Sequence, residues 1–294
     1  MFLVADMAET VSQSGCSPVS STVAPEELRA QMTEQKRLER DLRDAVKREA
    51  FLLHYQPRLA LDSGAVTGVE ALIRWPHRRR GMVAPMSFIP LAERNGSILP
   101  IGAWVLRAAC QEAAGWDLSC AFHSAPSVSV NVSARQIAGG VLLHQVAAAL
   151  DASGMAPERL ELELTESMLI HIDLDALLGL SALRDIGVGL ALDDFGTGYA
   201  SLAMLRRLPL TVLKLDRSLV LGLPHEQEDA AIVRAVVETS HALGLRVVAE
   251  GIETVAQRDY LTRIGCDEGQ GYLFSRPVPP EELRQSSAYS RQFS

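Results

Sequence analysis

The chain is poor in cysteine. Four occur among 294 residues, and no two form a Cys-x-x-Cys pair. That usage argues against the common zinc motifs and gives no disulfide framework, so reduced thiols in the cytoplasm are the simplest expectation. Basic charge is also scarce, with 28 Lys and Arg against 36 Asp and Glu and a formal net charge of −8. Such a chain has no electrostatic case for holding long nucleic acid or an anionic membrane surface. A small phosphate-bearing ligand stays open, because a bound metal inverts the local field. No apolar run is long enough for a membrane span, and the N-terminus lacks the basic-then-apolar pattern of a secretory signal. What is present is a globular composition, 48% hydrophobic and 22% charged, in a chain long enough for one large domain or two small ones.

Residues 1–24 show little periodicity and read as a flexible tail. Pro25-Glu26-Glu27 opens a helix that runs to about Glu49, with acids placed well for the macrodipole. Leu28, Met32, Leu38, Leu42 and Val46 form its apolar stripe, and its mixed charges mark it as a packing or linker helix. FLLHYQP reads as a strand ending at Pro57, Asp62-Ser63-Gly64 as a turn, and Val66–Trp75 as a second strand, so the two form a hairpin. His77–Gly81 (HRRRG) reads as a solvated basic loop. A helical pattern covers 87–114. Then strands at Ser127–Ser133, Leu160–Ser167, Val188–Asp194, Thr211–Asp216, Arg246–Gly251 and Glu268–Phe274 alternate with helices over 140–153, 174–185, after Ser201, 227–243 and 254–264. About eight strands in roughly 240 residues predict an α/β fold, a TIM-type (β/α)8 barrel with an irregular first strand.

Side-chain parity supports the barrel. A parallel strand buried on both faces is nearly all apolar. Here Val128, Val130 and Val132 alternate with Ser129, Asn131 and Ser133, and Leu160, Leu162 and Leu164 alternate with Glu161 and Glu163. The polar groups fall near the C-terminal strand ends, where barrels keep their chemistry. They are Glu70, Asn131, Glu163, Asp193 with Asp194, Lys214 with Asp216, and Glu250. All except the lysine are oxygen donors, and none of the seven histidines belongs to the set. Hard oxygen ligands select Mg2+ or Mn2+ over Zn2+. Two ions sharing bridging carboxylates would clamp the attacking and leaving oxygens of a phosphoester hydrolysis. Taken singly, Glu70 pairs as readily with Arg74, Asn131 is an ordinary buried amide, and Lys214 is an ion-pair partner. The recurrence of such groups at successive strand ends is what carries the inference. Glu161 lies lower in its strand and reads as structural, as does His54.

EALIRW (Glu70–Trp75), with HYQP upstream, resembles the signature of the EAL domain family, the cyclic di-GMP phosphodiesterases of bacterial signalling. The resemblance continues through SVNVSARQ, ELTES, DDFGTGYASL, LKLDRSLV, VVAEGIET and QGYLFSRP, over about residues 45–280. It implies a barrel over 45–285 whose first strand is antiparallel, and cleavage of cyclic di-GMP to linear pGpG. It also implies Glu70, Asn131, Glu163 and Asp193 as ligands of one metal. Asp193, Asp194 and Glu250, with Asp216 nearby, correspond to the ligands of a second. Mg2+ or Mn2+ would be active and Ca2+ inhibitory. Lys214 resembles the lysine that contacts the catalytic water, which Glu250 also helps activate. Glu166 resembles the glutamate that fixes the loop after the double aspartate. Glu253 matches a further acidic position, and Gln56, Arg74 and Gln270 match contacts to substrate. A homodimer is the implied assembly, and the helix over Pro25–Glu49 is open to docking a regulatory partner, extending a dimer interface or serving as a linker. Ala200, Arg58 and Asn95-Gly96-Ser97 depart from the usual pattern without touching an implied ligand. Two rival readings remain: a receptor that binds without cleaving, and a Schiff-base aldolase using Lys214. The carboxylates around Lys214 oppose the second by keeping it protonated.

Overall fold

The computed structural model describes residues 25–116, 125–198 and 202–285. The expected tail over 1–24 and the loop residues 199–201 lie outside the described residues. In chain order the elements are α1 (Pro25–Lys47), β1 (Leu52–Ala60), β2 (Val66–His77), β3 (Gly81–Val83), α2 (Pro85–Asn95) and α3 (Ile98–Ala114). There follow β4 (Ser127–Asn131), α4 (Ala134–Ala138), α5 (Leu142–Ser153), β5 (Leu160–Thr165), α6 (Leu174–Asp185), β6 (Gly189–Phe195) and α7 (Leu202–Leu205). The last group is β7 (Val212–Leu215), α8 (Arg217–Leu221), α9 (Gln227–Ala242), β8 (Arg246–Ala249), α10 (Val255–Arg263), β9 (Glu268–Gly269) and α11 (Pro280–Gln285).

Eight strands close into a barrel in the order β1-β2-β4-β5-β6-β7-β8-β9, and β3 pairs outside it with β2. β1 pairs antiparallel with both its neighbours, while the other barrel neighbours are parallel. This is the TIM-type barrel with an antiparallel first strand. No helix among the described residues is long and apolar enough to cross a membrane.

Two strand ends differ most from expectation, each for a local reason. β1 does not end at Pro57 but runs on to Ala60. The Tyr55 N–H points away from β2, to Val278 O at 2.7 Å, and Pro57 shares that orientation. The missing proline N–H therefore leaves the β1–β2 ladder intact, and Pro57 still stands opposite Val69. The last strand is only Glu268–Gly269, not Glu268–Phe274. After Gln270 the chain passes so close to Ile252 that a Cβ on Gly271 would lie 2.1 Å from its carbonyl oxygen. The chain then turns, with Phe274 N–H donating to Gly271 O.

The helix α1 packs on the barrel through Leu42 and Ala45, both buried. The basic loop is not wholly solvated. His77 meets Asp41 at 3.3 Å and Arg80 pairs with Glu34, which ties the β2–β3 turn to α1. Arg58, an unusual residue in the sequence, is fully buried in the barrel. It spans the interior on the N-terminal side, 2.5 Å from both Glu161 and Glu268, and donates to Ser127 Oγ at 3.2 Å. Arg246 closes the group against the same two carboxylates.

Removing one partner of such a network strands buried charge. Arg58→Ala should lower unfolding stability by about 3–5 kcal/mol in urea titration. A loss under about 1 kcal/mol would show that the group contributes no more than a surface pair.

Candidate active site

At the C-terminal end of the barrel the strand ends converge on Lys214 Nζ. Lys214 is 1% exposed, on β7. Its ammonium lies 2.6 Å from Glu250 Oε1, 2.8 Å from Glu163 Oε1, 3.1 Å from Asp193 Oδ1 and 3.9 Å from Glu70 Oε2. Each carboxylate comes from a different strand or the residue just past one, so the geometry is fixed by barrel closure rather than by any local motif. Glu70 accepts from Asn131 Nδ2 at 2.9 Å and from Gln270 Nε2 at 2.6 Å. It makes no ion pair with Arg74, whose Nη1 donates to the neighbouring Ile73 carbonyl.

Adjacent residues on a regular strand face opposite sides. Asp193 and Asp194 nevertheless belong to one group, because the β6–β7 register shifts between Leu192 and Phe195. Asp194 sits in the left-handed region, with φ 57. This bulge turns both carboxylates into the barrel mouth, at a backbone cost of about 1–3 kcal/mol. Carboxylate oxygens of Asp193, Asp194 and Glu250 all lie within 4.8 Å of one another. The donor set fits a divalent cation. It is all oxygen, it is grouped tightly, and Glu163 Oε2 and Asp193 Oδ1 are buried without a well-aligned hydrogen bond.

The electrostatics show the same need. Burial pushes the Glu250 carboxyl up to about 8, with Asp193 and Glu70 adding to the shift and Lys214 opposing it. Burial raises Glu163 well above the ordinary carboxylate range, against Lys214 and with Glu70, Asp193 and Glu250. Asp194 is raised by burial and by Asp193 and Asp216. Burial alone would lower the Lys214 ammonium, but Asp193, Glu163, Glu250 and Glu70 outweigh it and hold it well above its usual value. Burial alone would also raise Glu70, but Lys214, Gln270 and Asn131 bring it below. A lysine held so firmly protonated is no nucleophile, which removes the aldolase reading.

Other sequence candidates occupy supporting places. Glu166 Oε2 accepts the backbone N–H groups of Gly196 at 3.2 Å and Gly198 at 3.1 Å, just behind the paired aspartates. Asp216 caps α8 by accepting from Ser218 N–H, and stands outside the tight group of Asp193, Asp194 and Glu250. Glu253 pairs with Arg217 at 3.0 Å. Gln56 and Gln270 are buried rather than open to the mouth. Gln270 Nε2 reaches Gln56 Oε1 at 3.1 Å as well as Glu70, and Gln56 Nε2 donates to Ser275 O. Sequence reading missed this chain of amides. It also missed the cleft of about 700 Å³ that runs from Glu70, Asp193 and Asp194 to the faces of α2 and α3.

The comparisons with known proteins now decide the family. The family model described as "EAL domain" matches residues 39–277. The chain belongs to the EAL domain family. It is 45% identical over 262 residues to the bifunctional diguanylate cyclase/cyclic di-GMP phosphodiesterase MucR of Pseudomonas aeruginosa, covering 89% of this chain and 38% of that protein. It is 43% identical over 259 residues to the cyclic di-GMP phosphodiesterase NbdA of the same species, covering 88% and 33%. The chain thus spans about a third of the length of these curated relatives. The solved structure of the PaMucR phosphodiesterase in complex with c-di-GMP superposes with a TM-score of 0.78 at 45% identity, covering 84% of this chain and 99% of that one. The EAL enzyme Bd1971, with cAMP and cyclic di-GMP bound, gives 0.81 at 30% identity, covering 87% and 69%.

Two outcomes test this EAL site. In the metal-free chain the Glu250 proton is held in the fold but lost from the unfolded chain above the ordinary carboxylate range. Its contribution to stability therefore fades as pH rises through about 8, while cation binding, which needs the ionised form, strengthens. Calorimetric titration with Mg2+ should show affinity rising up to about tenfold per pH unit below 8, with proton release. A pH-independent affinity with no released proton contradicts this. Glu166→Ala should accelerate amide exchange at Gly196 and Gly198, since each loses its acceptor. Unchanged protection there would show that the loop is held by something else.

Proposed function

We propose that this chain hydrolyses cyclic di-GMP to linear pGpG with two divalent cations, Mg2+ or Mn2+. The observation that carries the reading is the intact acidic mouth: Glu70, Glu163, Asp193, Asp194 and Glu250 around one buried lysine. Relatives named as cyclic di-GMP phosphodiesterases support the substrate. Glu70, Asn131, Glu163 and Asp193 would hold one ion. Asp193, Asp194 and Glu250 would hold the other, with Asp216 nearby. When bound, such ions would lower the pKa of water and neutralise charge on the phosphate.

The residues of the chain do the rest. Water adds to one phosphorus, the bond from that phosphorus to the 3′ oxygen breaks, and that oxygen takes a proton. Lys214 stays protonated and directs its N–H groups at the water. Glu250 accepts the proton of the water. Arg74, free of any ion pair among the described residues, meets the phosphate oxygens. Gln56 and Gln270, buried as they are, orient Glu70 through their amide chain. Glu166 keeps the loop in place, and Glu253 with Arg217 braces the segment after Glu250. Cytoplasmic location and self-association belong to the same proposal, as does a partner seated on α1.

The alternative of a receptor that binds without cleaving is less favoured, because no group of the acidic mouth is missing. An assay of pGpG release separates them. The chain should turn over cyclic di-GMP with Mg2+ or Mn2+. Ca2+ should occupy the site without turnover, since its looser coordination holds the reacting groups poorly. Glu70→Ala should lower kcat by at least about a thousandfold. Tight binding with no release under any cation would establish the receptor reading instead.

A further inference from the structure

The turn after β2 carries Arg78, Arg79 and Arg80 in a row, and the acidic mouth uses none of them. Between this turn and α1 lies a cleft of about 350 Å³, which shares no lining residue with the cleft at the mouth. Trp75 and His77 are two apart on β2 and so share one face, and their rings meet at 5.1 Å. On the other side Arg40 and Asp44 stand four positions apart on α1, with Asp41 and Ala45 beside them, and Arg48 follows in the turn that ends the helix. The backbone between the two sides is held in place. Arg79 N–H donates to His77 Nδ1 at 3.1 Å, Arg80 N–H donates to His77 O at 3.2 Å, and Arg80 pairs with Glu34. Arg78 and Arg79 therefore stand on a fixed turn.

The charges of the cleft do not balance. Arg40, Arg48, Arg78 and Arg79 line it against Asp41 and Asp44, in a chain whose formal net charge is −8. Asp41 is taken up by His77 at 3.3 Å and Arg40 at 3.6 Å. No hydrogen bond or ion pair joins the side chains of Arg48, Arg78 or Arg79 to another described residue. We infer that this cleft binds the polyphosphate group of a small ligand. The planar fork of arginine matches phosphate oxygens two at a time, and three arginines here have that fork free. Arg40 and Arg48 are about 12 Å apart along the helix, so a chain of two or three phosphates engages more of the cleft than a single phosphate does. The volume lies in the range of small-ligand pockets, about 300–1,000 Å³. A ligand so held joins α1 to the β2–β3 turn, and Asp44 is the one carboxylate that opposes it. The assignment is independent of the phosphodiesterase reading.

The test is calorimetric titration of the full chain in metal-free, low-salt buffer with tripolyphosphate, ATP, GTP and inorganic phosphate. Tripolyphosphate should bind at least about tenfold more tightly than phosphate. Arg78→Ala with Arg79→Ala should weaken it by about tenfold or more, and Arg78→Lys with Arg79→Lys, which keeps the charge but loses the fork, should fall between. Asp44→Ala should tighten binding by about two- to fivefold, since it removes the opposing charge. These positions are exposed, so the variants should fold as the wild type does. Equal affinity for tripolyphosphate, ATP and GTP supports the assignment with the phosphate chain as the whole ligand. Tighter binding of one nucleotide supports it with the nucleoside recognised as well. No binding of any probe overturns it, as does the same affinity in the wild type and the double alanine variant. Displacement of the probe by excess cyclic di-GMP overturns it too, because the probe then occupies the mouth.

Discussion

A single ammonium within 4 Å of four carboxylates is the interaction on which the mouth of this barrel depends. Lys214 is buried, and so are Glu163, Asp193 and Glu70. One positive charge cannot balance four negative ones, and the excess is visible as carboxyl groups pushed up towards protonation. Gathering so many acids in a low-dielectric interior is tolerable only where protons or cations complete the balance. The site thus carries a deficit of positive charge, in a group of carboxylates that can hold a metal ion.

The barrel pays for this arrangement in its backbone and in its lower interior. The bulge at Asp193–Asp194 breaks the β6–β7 register and places a non-glycine residue in the left-handed region. Below the mouth lies a second charged layer, in which Arg58 is clamped between Glu161 and Glu268. Glu161 and Glu163 are two residues apart on one strand face, so one strand serves both layers. The lower layer holds its balance within the chain, with two arginines against two glutamates. The upper layer does not, and that contrast separates a structural charge network from a binding site.

Much of this was legible in the sequence. Polar residues at alternate positions near successive strand ends located the mouth, because strand parity is local and survives without knowledge of the partner strands. The barrel followed from the alternation of strands and helices. Other features depended on pairing. Gln56 faces Glu70 because the β1–β2 register shifts by one residue between Arg58 and Leu59, an irregularity that counting outward from the turn does not show. Arg58 finds its partners more than a hundred and two hundred residues away, a separation that no local pattern encodes. The short final strand reflects a close approach to Ile252 that sequence spacing cannot show.

The central claim, that the charge deficit around Lys214 is filled by two cations, is tested most directly by anomalous diffraction from crystals soaked in Mn2+. The account predicts two peaks about 4 Å apart, one beside Glu70, Asn131, Glu163 and Asp193, and one beside Asp193, Asp194 and Glu250. A mouth with no peak, its carboxylates still gathered on Lys214 at saturating Mn2+, would contradict it.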